Sequence, residues 1–255
     1  MGLKSLSAAV LAASCLFMSM HLAAQAPDGE KILAEIDQIR FPQAFSMRIT
    51  LTTVTQGEDD KVMVIDVTHK TPLGSFLDIR SPVRSKGTRM LTEEGSLWMY
   101  NPRSGSTKPL RLSPRDAFQG SAFSNSDVSN TTFLDQYKGV FEAEETVDTP
   151  EFGRVEAWRI RAEATTPEAA YGKIVMWVRK SDLLPLKFDY YAKSGLLFRK
   201  MVLSGYKVMA GRLRASKMTM VSMDQTGTRS ILTIDQMRAR KDIPDALFNL
   251  NELTR

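Results

Sequence analysis

The feature that most constrains the fold is an alternation of apolar and polar side chains with period two, recurring along nearly the whole chain. Phe45, Met47, Ile49 and Leu51 alternate with Ser46, Arg48 and Thr50, and Met63, Ile65 and Val67 alternate with Asp66 and Thr68. Successive side chains of a β-strand point to opposite faces, so each run presents one dry and one wet face. The polar stretch Gln56-Gly57-Glu58-Asp59-Asp60 joins the two runs as the turn of an antiparallel hairpin. Further strands are expected near 76–80, 86–91, 96–100, 108–112, 137–147, 155–162, 173–179, 184–191, 196–208, 213–223 and 229–235. Short glycine-containing links such as Glu94-Gly95, Ser194-Gly195 and Thr226-Gly227 connect several of them. A meander of about thirteen strands with one dry face must be covered or closed on itself, so the expected fold is a mainly β, curved antiparallel sheet curling into a barrel.

Helical spacing is confined to two places. Ile32, Leu33, Ile36 and Ile39 share one face near the N-terminal end, with Asp28 as the cap and Pro42 as the stop. The segment Pro114–Gln136 is polar, serine-rich and broken by Gly120, and is expected to form a lid or irregular insert over an open end of the sheet.

Lys4, the apolar run Leu6–Leu22 and the small residues of Ala24-Gln25-Ala26 have the order of a secretory signal peptide. Residues 1–26 are therefore read as a leader and 27–255 as one domain. Cleavage is expected before Gln25 or Pro27. Cys15 has apolar residues on both sides, so it is read as part of the leader and not as a lipidation site. The mature chain then has no cysteine and no disulfide.

Catalytic material is sparse. Of the two histidines, His21 lies in the leader, and His69 beside Lys70 and Pro72 reads as a surface residue at a strand end. No Cys/His/Asp cluster has metal spacing, no glycine-rich phosphate loop follows a strand, and Ser96 and Ser121 lack a nucleophile-elbow pattern. The net charge of +5 is scattered among acidic residues and makes no footprint for nucleic acid. The expectation is a non-enzymatic protein without cofactor or metal.

The middle of the chain carries a more specific pattern. Gly95-Ser96-Leu97-Trp98-Met99-Tyr100-Asn101-Pro102 is followed by a basic stretch to Arg111-Leu112-Ser113, and then by the segment Phe118 to Val128. This resembles the outer-membrane lipoprotein-sorting protein family of the LolA superfamily of periplasmic lipoprotein carriers. Gly120, Ser121, Phe123 and Asp127 match the family's segment, whereas Ala122 stands where its first aspartate is usual. Leu184-Pro185-Leu186-Lys187, Gly195, Lys200, Ile243–Phe248 and Leu253–Arg255 fit its tail.

The resemblance implies a half-open antiparallel β-barrel with a helical lid or plug, located in the periplasm. It also implies a lipid or acylated lipoprotein as ligand, and an inner-membrane exporter of the resistance-nodulation-division type as a partner of the monomer. A periplasmic sensor of the RseB/MucB kind, or an envelope protein with a filled barrel and no ligand, are the alternatives. Cavity or gate candidates are Trp98, Met99, Tyr100, Phe118, Phe123 and Val128, together with Met47, Met63, Met176, Met218 and Met220. Methionine is flexible and fills irregular apolar space, which suits variable acyl chains and ordinary core packing alike. Trp98 and Tyr100 share one strand face, either lining the cavity or packing outside it. The scattered charge points to a neutral, elongated apolar ligand with at most a small polar head.

Overall fold

A computed structural model describes residues 26–93, 95–129, 132–223 and 227–255. Residues 1–25 of the expected leader, with Cys15, lie outside the described residues, as do Glu94 and Thr226 of the expected turns.

The chain enters through α1 (Gly29–Arg40). The Asp28 carboxylate accepts hydrogen bonds from the Glu30 and Lys31 N–H groups at 3.0 and 3.2 Å, satisfying two of the free donors of the first turn. Phe41, ahead of Pro42, leaves the helix in extended conformation. The buried stripe is the expected one, Ile32, Leu33, Ile36 and Ile39.

Six strands follow: β1 (Ala44–Thr55), β2 (Lys61–Lys70), β3 (Gly74–Ser81), β4 (Arg89–Glu93), β5 (Ser96–Tyr100) and β6 (Leu110–Leu112). After a long irregular segment come β7 (Tyr137–Thr149), β8 (Gly153–Ala164), β9 (Lys173–Arg179), β10 (Pro185–Tyr191), β11 (Leu197–Met209), β12 (Arg212–Ser222) and β13 (Thr228–Ala239). All thirteen lie in one antiparallel sheet of order β6-β5-β4-β3-β2-β1-β13-β12-β11-β10-β9-β8-β7. The sheet is curved but not closed, and β6 and β7 are its two free edges. It is the mainly β, curved antiparallel sheet that the alternation required, in the half-open form that the resemblance implies. Two strands are shorter than their sequence pattern. Lys86 N–H turns back to the Pro82 carbonyl, so β4 begins only at Arg89, and β6 keeps three residues.

The dry face holds one large core. Phe45, Met47, Ile49 and Leu51 of β1 meet Ile65 and Val67 of β2, Phe188 of β10, and Ile32, Leu33 and Ile36 of α1. Two patches on the outer face are also dry. Val175 and Trp177 of β9 pack with Val147, Ala157 and Leu186, so β9 is buried on both sides. Leu91 of β4 packs with Ile243, Phe248 and Leu253, which lie in and beside the C-terminal 3-10 turns Asp245–Phe248 and Leu250–Thr254.

The helix sits on the sheet at a glycine–glycine contact. A Cβ on Gly139 of β7 would lie 2.3 Å from the Gly29 carbonyl oxygen, and one on Gly29 would lie 2.7 Å from the backbone of Val140. Backbone, not a flexible side chain, occupies that space. Gly139→Ala is therefore expected to push α1 off β7 and to cost about 1–3 kcal/mol, as overpacking does. Denaturant unfolding measures it, and a loss below about 0.5 kcal/mol would mean that the helix end yields freely.

Candidate functional site

The segment between β6 and β7 joins opposite edges of the sheet, and Phe118 and residues 121–125 in its middle are buried. Its centre is a small hairpin. Phe118 N–H donates to the Phe123 carbonyl (2.8 Å), and Ala117 bridges Ser124. The short helix α2 (Asn125–Val128) follows, closed by a capping box in which Ser124 Oγ accepts from Asp127 N–H and the Asp127 carboxylate accepts from Ser124 N–H. Ala122 N–H donates to Ser230 Oγ (2.9 Å) of β13, near the middle of the sheet. Phe118, Ala122, Phe123 and Val128 are buried in the main core. The segment thus closes the barrel as a lid whose middle plugs the interior, while Asp116, Gln119, Leu134 and Asp135 stay exposed. Ala122 itself is buried, where an aspartate would place a carboxylate among apolar groups.

Beneath the plug lies an inner pocket of about 60 Å³. Its walls are Met47, Ile49, Leu232 and Ile234 on one side, Ile174, Phe188, Tyr190, Met201, Leu203 and Met218 on the other, and Phe123, Val128 and Phe133 above. At the mouth is a second, more polar groove of about 720 Å³, lined among others by Asp37, Gln43, His69, Ser75, Arg111, Ser129 and Glu168. Arg40, Phe41, Ser126, Thr132 and Gln136 line both. The groove is of ordinary ligand-site size, whereas the inner pocket is nearly filled.

The structure sorts the sequence candidates. Met47, Met218, Phe123 and Val128 line the inner pocket. Met63, Met99, Met176, Met220 and Phe118 belong to the surrounding core without lining it. Trp98 and Tyr100 are corrected as cavity candidates. They point away from the pocket and pack on Leu91, Ile243, Phe248 and Leu253 at the outer face. Alternation along β5 sends Leu97 and Met99 inward and the two aromatics outward.

Sequence reading missed the buried polar groups, because their members are far apart in the chain. Tyr171 donates its phenolic hydrogen to Asp127 Oδ2 (2.7 Å) and accepts from Arg199 Nη1 (2.7 Å). Arg199 is also 3.8 Å from the Asp127 carboxylate. Burial holds the Tyr171 phenol well above its ordinary range, so it stays neutral. The core thus holds an ionic network that no motif of the sequence marks. In Asp37, burial outweighs Arg40 and the N–H groups of Phe133 and Leu134, and it raises the carboxyl above the usual value.

His69 is corrected too. It is buried, stacks on Phe45 at 5.2 Å, and places Nδ1 2.9 Å from Ser75 Oγ and Nε2 3.1 Å from Thr71 Oγ1. Burial pushes its pKa down to about 4 from an ordinary 6.5. The unfolded chain binds the proton below about pH 6.5 and the folded chain resists until about 4. Stability from this group is complete above that window and falls as the pH drops through it, by on the order of 3 kcal/mol. His69→Gln should flatten this part of the pH profile in denaturant titrations at pH 7 and 4.5. An unchanged slope would assign the acid sensitivity to other groups.

Among the described residues no group of three or more His, Cys, Asp or Glu could hold a metal ion. No described helix is long and apolar enough to cross a membrane.

A half-open barrel, a lid whose middle enters it and an apolar pocket below make up a fold that solved proteins share. A LolA superfamily protein from Nitrosomonas europaea superposes with a TM-score of 0.79 at 24% identity, covering 88% of this chain and 98% of that one. A putative outer membrane lipoprotein-sorting protein domain from Vibrio parahaemolyticus gives 0.73 at 21% identity, covering 89% and 98%. Over residues 74–255 the sequence matches a family described as an uncharacterized protein, and the chain belongs to that family. No curated protein matches it.

Proposed function

We propose that this chain is a non-catalytic periplasmic carrier that holds the acyl chains of a lipid or lipoprotein. The observation that carries the reading is an apolar pocket, inside a sheet with two free edges, that continues into a ligand-sized groove at its mouth. The fold shared with the LolA superfamily and with a lipoprotein-sorting protein domain supports it. An entering chain takes space from Met47, Met201 and Met218, whose unbranched side chains rearrange readily. Each methylene so buried is worth about 0.8 kcal/mol, so about four to six offset the loss of one buried aromatic contact of the segment. In this reading residues 114–136 form the gate, and the carrier works as a monomer that exchanges cargo with an exporter of the resistance-nodulation-division type.

The small volume of the inner pocket favours a second reading, a structural envelope protein with a filled barrel. Native mass spectrometry of protein taken from a bacterial periplasm separates the two. Added mass that extracts into organic solvent supports the carrier. A bare polypeptide that also fails to take up a fluorescent fatty acid supports the structural protein and sinks the carrier.

A further inference from the structure

Arg214, on β12, lines the inner pocket and is almost completely buried, yet no carboxylate among the described residues pairs with it. Its Nη1 donates to the carbonyls of Met209, Ala210 and Arg212 in the β11–β12 turn, and Nη2 reaches the Gln38 carbonyl of α1 (3.4 Å). Nε has no partner. Carbonyl dipoles solvate the guanidinium in part and do not cancel its charge, and a buried cation without a counter-charge is costly.

The other charges around the pocket are already engaged. Asp127 is held by Tyr171, Ser124 N–H and Arg199, and Arg40 by Asp37 at 3.4 Å. Burial and the neighbouring Arg212 both lower the pKa of Arg214, which is the direction expected of a cation with no acid beside it. The Gln38 carbonyl it reaches belongs to a residue that lines the mouth groove, so Arg214 sits where groove and pocket approach each other.

We infer that Arg214 is an anion subsite for the head of an amphiphile, taking a carboxylate or phosphate whose alkyl chain lies among Met47, Leu203 and Ile234. This rests on the carrier reading and specifies its ligand class: a singly or doubly negative head on an acyl chain, in place of the neutral ligand that the charge distribution suggests. A planar guanidinium with a free Nε–H suits the oxygens of either head group.

Displacement of Nile red from the full mature chain tests it, with palmitate, hexadecyl phosphate and methyl palmitate as competitors below their aggregation concentrations. At least one of the two anions should displace the dye at roughly tenfold lower concentration than the uncharged ester. The stronger anion identifies the head group. In Arg214→Gln the anion's advantage over the ester should shrink to about twofold, whereas Arg214→Lys, which keeps the charge and loses the planar fork, should keep part of it. Should Arg214→Gln fail to fold, the wild-type comparison and the lysine variant still decide. Equal displacement by anions and ester, or an anion preference unchanged in Arg214→Gln, would overturn the anion subsite and leave the carrier standing. Failure of all three competitors would overturn the carrier reading as well.

Discussion

Phe123→Ala is expected to lower the unfolding free energy by about 3–5 kcal/mol, the range for emptying a fully buried aromatic position. Phe123 is nearly inaccessible, lines the inner pocket and anchors the hairpin whose other strand carries Phe118. Truncation removes the roof of the pocket and enlarges it, so the cavity adds to the lost transfer energy. For a domain of this size the melting temperature should fall by roughly 10 °C. Hydrogen exchange on residues 114–129 then tests the gate. In the carrier reading these amides lose protection when a fatty acid is bound, because the entering chain displaces the segment's contacts with the core. A Phe123→Ala variant that stays within about 1 kcal/mol of wild type while losing retained ligand would show that the segment is a mobile flap with little share in the core.

Asp127→Ala should cost a similar 3–5 kcal/mol by a different route, since removing one partner of a buried pair strands the other. Arg199 would keep its charge in a buried position, and Tyr171 and Ser124 N–H would lose an acceptor. Part of the helix cap on α2 goes as well. The double variant Asp127→Ala, Arg199→Met removes the stranded charge and should recover much of the loss. This non-additivity distinguishes an ionic network from a set of independent contacts. Equilibrium unfolding of the two single variants and the double variant gives the coupling. A single Asp127→Ala loss below about 1 kcal/mol, or strict additivity, would show that Tyr171 and Arg199 are satisfied without the carboxylate.

The plug and the network share an origin. The 113–136 segment joins β6 and β7, opposite edges of one sheet, and its middle, residues 121–125, turns inward. Once inside, the polar groups of the segment need partners, which come from the segment itself or from the chain around it. Ser230 serves Ala122, and Tyr171 and Arg199 serve Asp127. The segment's serines and asparagine, which read as exposure in a linear sequence, are the means by which an irregular backbone is satisfied in an interior. Ser121, Ser124 and Asn125 are all buried.

Local chemistry alone determined much of this protein. The alternation from Phe45 to Leu51 and its repeats required one-faced strands, the short glycine links required antiparallel neighbours, and Asp28 and Pro42 marked the helix to within a residue or two. These signals are legible because period, cap and turn are properties of residues a few positions apart. Tertiary structure alone decided which of two alternating faces was the inner one, and so sent Trp98 and Tyr100 outward under the C-terminal turns and Met47 and Met218 to the pocket. It also decided that β1 would pair with β13, placing the chain's two halves side by side. That pairing makes β6 and β7 the edges, turns the middle of the connecting segment into the barrel, and brings Asp127, Tyr171 and Arg199 together, while α1 and the β11–β12 turn enclose Arg214. Contacts between residues so distant in sequence leave no local period or motif, since their energies depend on which surfaces meet after the sheet has curled.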